Sequence, residues 1–152
     1  MRHLLLFVHL LGFIMWMGGG YAALSLGMLM RRLPRNELAM PVMMQGRLMR
    51  ELILPGAVLA TITGIMLTLS LYGSATSVQG YPGGLMAMQG AGMLGAVLVL
   101  IVGVPTGARI ARLDPVGEHA PLFDALQRKA AVTGVISGAL ALIALIGGVL
   151  MR

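Results

Sequence analysis

His3-Leu-Leu-Leu-Phe-Val-His9-Leu-Leu-Gly-Phe-Ile-Met-Trp16-Met-Gly-Gly-Gly20-Tyr-Ala-Ala-Leu-Ser-Leu-Gly-Met-Leu-Met30 runs for 28 residues without an Asp, Glu, Lys or Arg. A helix rises about 1.5 Å per residue and the hydrocarbon core of a bilayer is about 30 Å thick, so roughly 20 such residues cross it once. Two more charge-free stretches follow, 57 residues from Leu52 to Ala108 and 22 from Ala130 to Met151. The longer one is interrupted by Tyr72-Gly-Ser-Ala-Thr-Ser-Val-Gln-Gly-Tyr-Pro-Gly-Gly84, a turn-forming segment that divides it into two spans. The chain therefore reads as an all-α integral membrane four-helix bundle. A single domain over 1–152 is expected, with spans near 3–29, 52–71, 85–108 and 130–151.

Composition agrees. A chain that is 58% hydrophobic and 11% charged cannot cover its apolar surface as a small soluble domain. The net charge of +6 does not point to nucleic acid, because nine of the eleven Lys and Arg lie in two connections between spans. Arg31, Arg32, Arg35, Arg47 and Arg50 occupy one, and Arg109, Arg112, Arg128 and Lys129 the other. The positive-inside rule puts both connections in the cytoplasm and both termini outside. Membrane lipids are the expected partners of Arg31, Arg32, Arg47, Arg50, Arg109 and Arg112, through their anionic headgroups. The absence of cysteine excludes disulfides and thiolate metal sites. The first apolar run is too long for the core of a cleaved signal peptide.

Helices in lipid associate by close backbone approach across small residues. Such residues recur at helical spacing in every span: Gly19, Ala23 and Gly27; Gly56, Ala60 and Gly64; Gly95, Gly103 and Gly107; Ala130, Gly134 and Gly138. The last of these faces is expected to meet another protein or a second copy, since the fourth span has no other evident use for it. The connections, Arg31 to Glu51 and Arg109 to Lys129, are too apolar to be plain tethers. Glu118 to Leu126 reads as a helix start with Pro121 in the first turn, and Leu122, Phe123 and Leu126 share a face suited to the membrane surface. Arg47, Arg50 and Glu51 stand a turn apart, the setting for headgroup anchoring and a local ion pair.

Polar groups within the spans are few, and each invites a functional reading. His9 is followed on its face by Phe13, Trp16 and Gly20, an aromatic wall and a gap suited to a flat ring. Two readings of His9 stand: a neutral imidazole bonded to a carbonyl of a neighbouring helix, or a ligand to haem iron or a metal. In antiparallel neighbours Met66, Thr68, Met86, Met88, Gln89 and Met93 fall near its depth. Imidazole with thioether suits haem iron and Cu(I) alike. His9, Trp16, Met86, Met88 and Gln89 are the candidate cofactor-binding residues, with His9 the metal ligand. The methionines read equally well as packing residues.

His9-Leu-Leu-Gly-Phe-Ile-Met-Trp16-Met-Gly-Gly19 resembles the first-span pattern of the bacterial four-helix protoporphyrinogen oxidases, of the copper resistance protein D family and of a related group of uncharacterised integral membrane proteins. Arg47-Leu-Met-Arg50-Glu51-Leu-Ile-Leu-Pro55, continuing to Gly64, is similar to the start of the oxidases' second span. The resemblance covers about the first half of the chain. It implies a bacterial inner membrane location, a haem-ligand or pocket role for His9 and Trp16, and a structural or headgroup role for Arg47, Arg50 and Pro55. It does not carry over the reaction: the oxidases have a histidine and a lysine at the start of the third span, where this chain has Leu85-Met-Ala-Met-Gln89. Three expectations follow. The first is a haem b or porphyrin-binding protein of electron transfer or haem metabolism. The second is a noncatalytic accessory subunit of a larger membrane complex of respiratory or photosynthetic type, or a homo-oligomer. The third is copper handling through His9 and the methionines.

Overall fold

A computed structural model describes residues 2–73 and 82–150. It contains four helices long and apolar enough to cross a membrane: α1 (Arg2–Met30), α2 (Ala39–Tyr72), α3 (Gly83–Ile110) and α4 (Ala120–Val149). No strand occurs among the described residues. The chain is an all-α bundle of the multi-pass membrane type. Most of the turn expected between the second and third spans, residues 74–81, lies outside the described residues, as do Met151 and Arg152.

Two helices begin earlier than the charge pattern predicts. α2 starts at Ala39 rather than near residue 52, and α4 at Ala120 rather than near 130. Charged residues mark where the bilayer core ends, not where helical hydrogen bonding ends, because long cationic side chains reach outward from a continuing helix. Arg47, Arg50 and Glu51 thus ride on α2 itself, all exposed, and the expected ion pair among them does not form. The Pro121 helix start is real, since that proline lies in the first turn of α4. Its apolar face does not lie on the membrane surface, however. Phe123 is buried against Met30, Leu38, Val42 and Ile110, with Leu126 packed beside them, while Leu122 alone stays exposed.

α2 and α3 each contain one widened turn, Met49–Ile53 and Val99–Gly103, followed two residues later by Pro55 and Pro105. A proline inside a helix lacks the N–H of its turn and its ring crowds the carbonyl four residues back. A turn closed five residues back relieves that crowding. Leu54 N–H donates to the carbonyl of Met49, and Val104 N–H to that of Val99. The two turns face each other: a Cβ on Gly103 would lie 3.5 Å from the Met49 methyl.

The bundle consists of two close pairs, α1 with α2 and α3 with α4. A Cβ on Gly56 would lie 2.6 Å from the Trp16 nitrogen and 2.7 Å from the Gly12 oxygen, and one on Gly12 would lie 2.7 Å from the Ala60 nitrogen. Gly84 and Gly147 make the matching contact between α3 and α4, at 2.6 Å from a Gly84 Cβ to the Gly147 oxygen. Only glycine permits backbones this close. Gly12, Gly84 and Gly147 fall outside the four-residue ladders read from the sequence, because a crossing needs glycine at one point and not along a whole face. Trp16 joins the two pairs, its ring 2.9 Å from where a Gly95 Cβ would stand. It heads a core of Trp16, Ile53, Ala57, Ala60, Ala96 and Val99, distinct from the second core around Phe123. The one ion pair among the described residues, Arg35 to Asp124 at 2.8 Å, links the two connections. Both partners are half exposed, so the pair contributes about 0.2–1 kcal/mol at most.

Candidate ligand cleft between α1 and α4

His9 lies at the α1/α2 contact. Its Nδ1 is 2.8 Å from the Ala60 carbonyl oxygen, a geometry that makes the nitrogen a donor, and the Thr63 hydroxyl lies 3.4 Å away. The ring lies against Gly64, where a Cβ would come 3.1 Å from Cε1. The carbonyl-bonded reading of His9 describes this arrangement, and Gly64 supplies the gap rather than Gly20.

The other residues proposed around His9 are not gathered there. Trp16 is buried against α3, with Phe13 edge-on at a centroid distance of 6.5 Å. Met86, Met66 and Met93 are exposed on the outside of the bundle. Met88 turns toward α4, its sulfur 3.2 Å from a Cβ placed on Gly148. Gln89 donates from Nε2 to the Thr68 hydroxyl, which in turn donates to the Gly64 carbonyl at 3.0 Å. The antiparallel depth matching of Thr68 with Gln89 therefore holds, but what it forms is a tie between α2 and α3. Among the described residues no three His, Asp or Glu side chains come together as a metal site. The arginines Arg31, Arg32, Arg47, Arg50, Arg109 and Arg112 are all exposed at one end of the bundle, called here the basic end.

The large opening in the molecule is elsewhere. Between the Trp16 core and the Phe123 core, α1 and α4 part to leave a partly open cleft of about 1230 Å³. Drug-sized ligands occupy pockets of about 300–1,000 Å³, so there is room for a large one. Trp16, Ile53 and Val99 line one end of the cleft and Met30, Val42 and Phe123 the other. Arg31, Asp124 and Arg128 stand at its rim. Glycines open it: Cβ atoms on Gly20, Gly46 and Gly138 would meet nothing within 4 Å, although all three line the space. The Ala130, Gly134 and Gly138 face therefore has a use within the chain. Leu24 covers Gly134 at 3.4 Å and Gly138 borders the cleft.

The lining is apolar with a few polar atoms in it. Gln45 Nε2 donates to the Ala23 carbonyl at 3.4 Å. Among the described residues two buried side-chain atoms have no hydrogen-bond partner, Gln127 Nε2 and Ser137 Oγ. Thr61, Thr63, Thr68 and Ser70 each donate to a carbonyl three or four residues back in their own helix. Ser137, only 4% exposed, does not. A buried polar group left unmade costs about 1–3 kcal/mol, and both such atoms belong to residues that line this one cleft. Of the residues singled out from the sequence for cofactor binding, Trp16 alone borders it. No sequence pattern marks Gln127 and Ser137; the only available signal was their place three residues from Ala130 and three residues from Gly134 of the α4 ladder. Searches against protein family models, curated proteins and solved structures find no match to this chain.

Proposed function

We propose that this chain is a membrane-embedded binding protein that takes an amphiphilic ligand from the bilayer into the cleft between α1 and α4. The observation that carries the reading is a roomy, partly open apolar space, widened at Gly20, Gly46 and Gly138 and bordered by Arg31 and Arg128. A space dug by glycines into a helix contact weakens the bundle unless something fills it. No group on its walls is arranged for acid–base or nucleophilic chemistry, so the role argued is binding, either alone or as an accessory subunit of a larger complex.

A second reading rests on Trp16: a flat ring of porphyrin class lying against that indole, with its carboxylates toward Arg31 and Arg128. Haem b held by His9 draws no support from this cleft. The cleft offers the thioethers of Met17, Met28, Met30 and Met49 but no imidazole, and His9 is not on its walls. Copper handling draws no support from the packing either: at the depth of His9, Met66, Met86 and Met93 are exposed and Met88 lies against Gly148. Native mass spectrometry of protein released from mild detergent, with a visible spectrum of the same sample, tests both readings. A bound amphiphile is expected, and it should remain in His9→Ala protein. A pigment lost in His9→Ala would return the site to His9; protein that neither retains nor rebinds any amphiphile would end the binding reading.

The basic end, by the positive-inside rule, faces the cytoplasm, which puts the cleft in the cytoplasmic leaflet of a bacterial inner membrane. A cytoplasm-active reporter inserted near Val116 should be active, and one fused after Arg152 should be silent. The opposite pattern would invert the orientation.

A further inference from the structure

The rim of the cleft is charged unevenly. Three ionic side chains stand there, Arg31, Asp124 and Arg128. Asp124 is already held: Arg35 donates to its Oδ2 at 2.8 Å, and the other terminal nitrogen of Arg35 donates to the Pro115 carbonyl at 3.1 Å. Arg31 and Arg128 have no ion-pair partner among the described residues. The rim therefore carries two uncompensated cations and no carboxylate to spare.

The two arginines come from opposite walls. Arg31 directly follows Met30, the last residue of α1, and Arg128 lies on α4 between Leu126 and Ala130. Met30, Leu126 and Ala130 belong to the packed cluster around Phe123, at one end of the cleft. Guanidinium groups on both sides of one mouth suit a phosphate, whose oxygens accept from two donor forks at once. A zwitterionic head would bring its ammonium group beside the same cations, and Asp124, bound by Arg35, does not offset it. Below the rim the cleft follows α1 for about four turns from Arg31 to Trp16, roughly 22 Å. That is more than half of a hydrocarbon core about 30 Å thick, so a whole acyl chain has room under the rim. The volume of about 1230 Å³ exceeds that of pockets for drug-sized ligands, which favours two chains over one.

We infer that the occupant is an anionic membrane phospholipid, its phosphate between Arg31 and Arg128 and its acyl chains in the cleft. The inference rests on the cleft reading above and adds the head group and the source. Anionic lipid of the cytoplasmic leaflet supplies it on the side where the positive-inside rule puts the basic end.

The test uses the full chain in nanodiscs made from equal amounts of phosphatidylglycerol and phosphatidylcholine with identical oleoyl chains. Native mass spectrometry of the released protein counts the lipids it keeps. One arginine beside an anionic lipid head contributes about fivefold, so two contribute roughly 30-fold. Wild type should keep phosphatidylglycerol over phosphatidylcholine by about that factor. Arg31→Gln with Arg128→Gln should lose the preference and keep the same number of lipids, since both side chains are exposed and the apolar walls are untouched. Arg109→Gln with Arg112→Gln removes the same charge from the same end but outside the cleft, and should retain most of the preference. No preference in wild type, or equal loss in the two double variants, overturns the phosphate at the rim while the cleft reading stands. Copurified material that weighs as free fatty acid instead of phospholipid overturns the source. Protein that keeps neither lipid nor any other amphiphile overturns the cleft reading as well.

Discussion

One methyl group added at Gly56 is expected to unseat α1 from α2. The Cβ of Gly56→Ala would lie 2.6 Å from the Trp16 nitrogen and 2.7 Å from the Gly12 oxygen, and both are backbone atoms that cannot rotate away. The helices have to separate, and Trp16, at the head of the larger core, moves with α1. Overpacking of this kind costs about 1–3 kcal/mol, and the displaced tryptophan puts the expected loss at the upper end. The control is Gly138→Ala, whose methyl group meets nothing within 4 Å. It should be neutral or gain up to about 1 kcal/mol from helix propensity. Unfolding of both variants in a denaturing detergent titration decides the matter. Equal midpoints would mean that the close crossing at Gly12 and Gly56 is not how the first two helices meet.

Obstructing the cleft should abolish ligand retention without unfolding the bundle. Gly20→Leu with Gly138→Trp places two large side chains on opposite helices into space where neither Cβ meets a neighbour. Bulk in an empty volume avoids the strain that the same bulk causes at Gly56. Bound amphiphile is expected to fall by more than tenfold, with the denaturation midpoint held or raised. The outcome that would sink the idea is unchanged ligand content in the double variant. That result would put the ligand on the outer surface of the helices, where exposed apolar residues such as Leu4, Ile14 and Ile101 are suited to lipid contact.

The Gly138 result bears on assembly too. A face of Ala130, Gly134 and Gly138 looks from the sequence like a docking strip for another helix. In the fold, Leu24 already covers part of it and the remainder borders the cleft. Small residues on a helix signal close approach or open volume equally well. Only the position of the next helix tells which.

What the sequence determined by itself was the membrane-spanning plan, and the reason is thermodynamic. Ionised side chains are expensive in hydrocarbon, so the uncharged runs beginning at His3, Leu52 and Ala130 had to become spans whatever their neighbours were. Antiparallel threading then set relative depth, which is why Thr68 and Gln89 could be placed at one level before any coordinates and do bond there. The hydrogen bond of His9 to a neighbouring carbonyl was also among the readings open from sequence, since an imidazole in lipid must find some partner. Tertiary structure alone decided which carbonyl that is, that Gly12 with Gly56 and Gly84 with Gly147 form the crossings, and that the cleft lies on the basic side of Trp16 instead of around His9. Each of these depends on the rotation of one helix about its axis relative to another. In a chain apolar on every face, no amphipathic stripe fixes that rotation in advance; it is set where glycine lets two backbones touch and where larger side chains hold them apart.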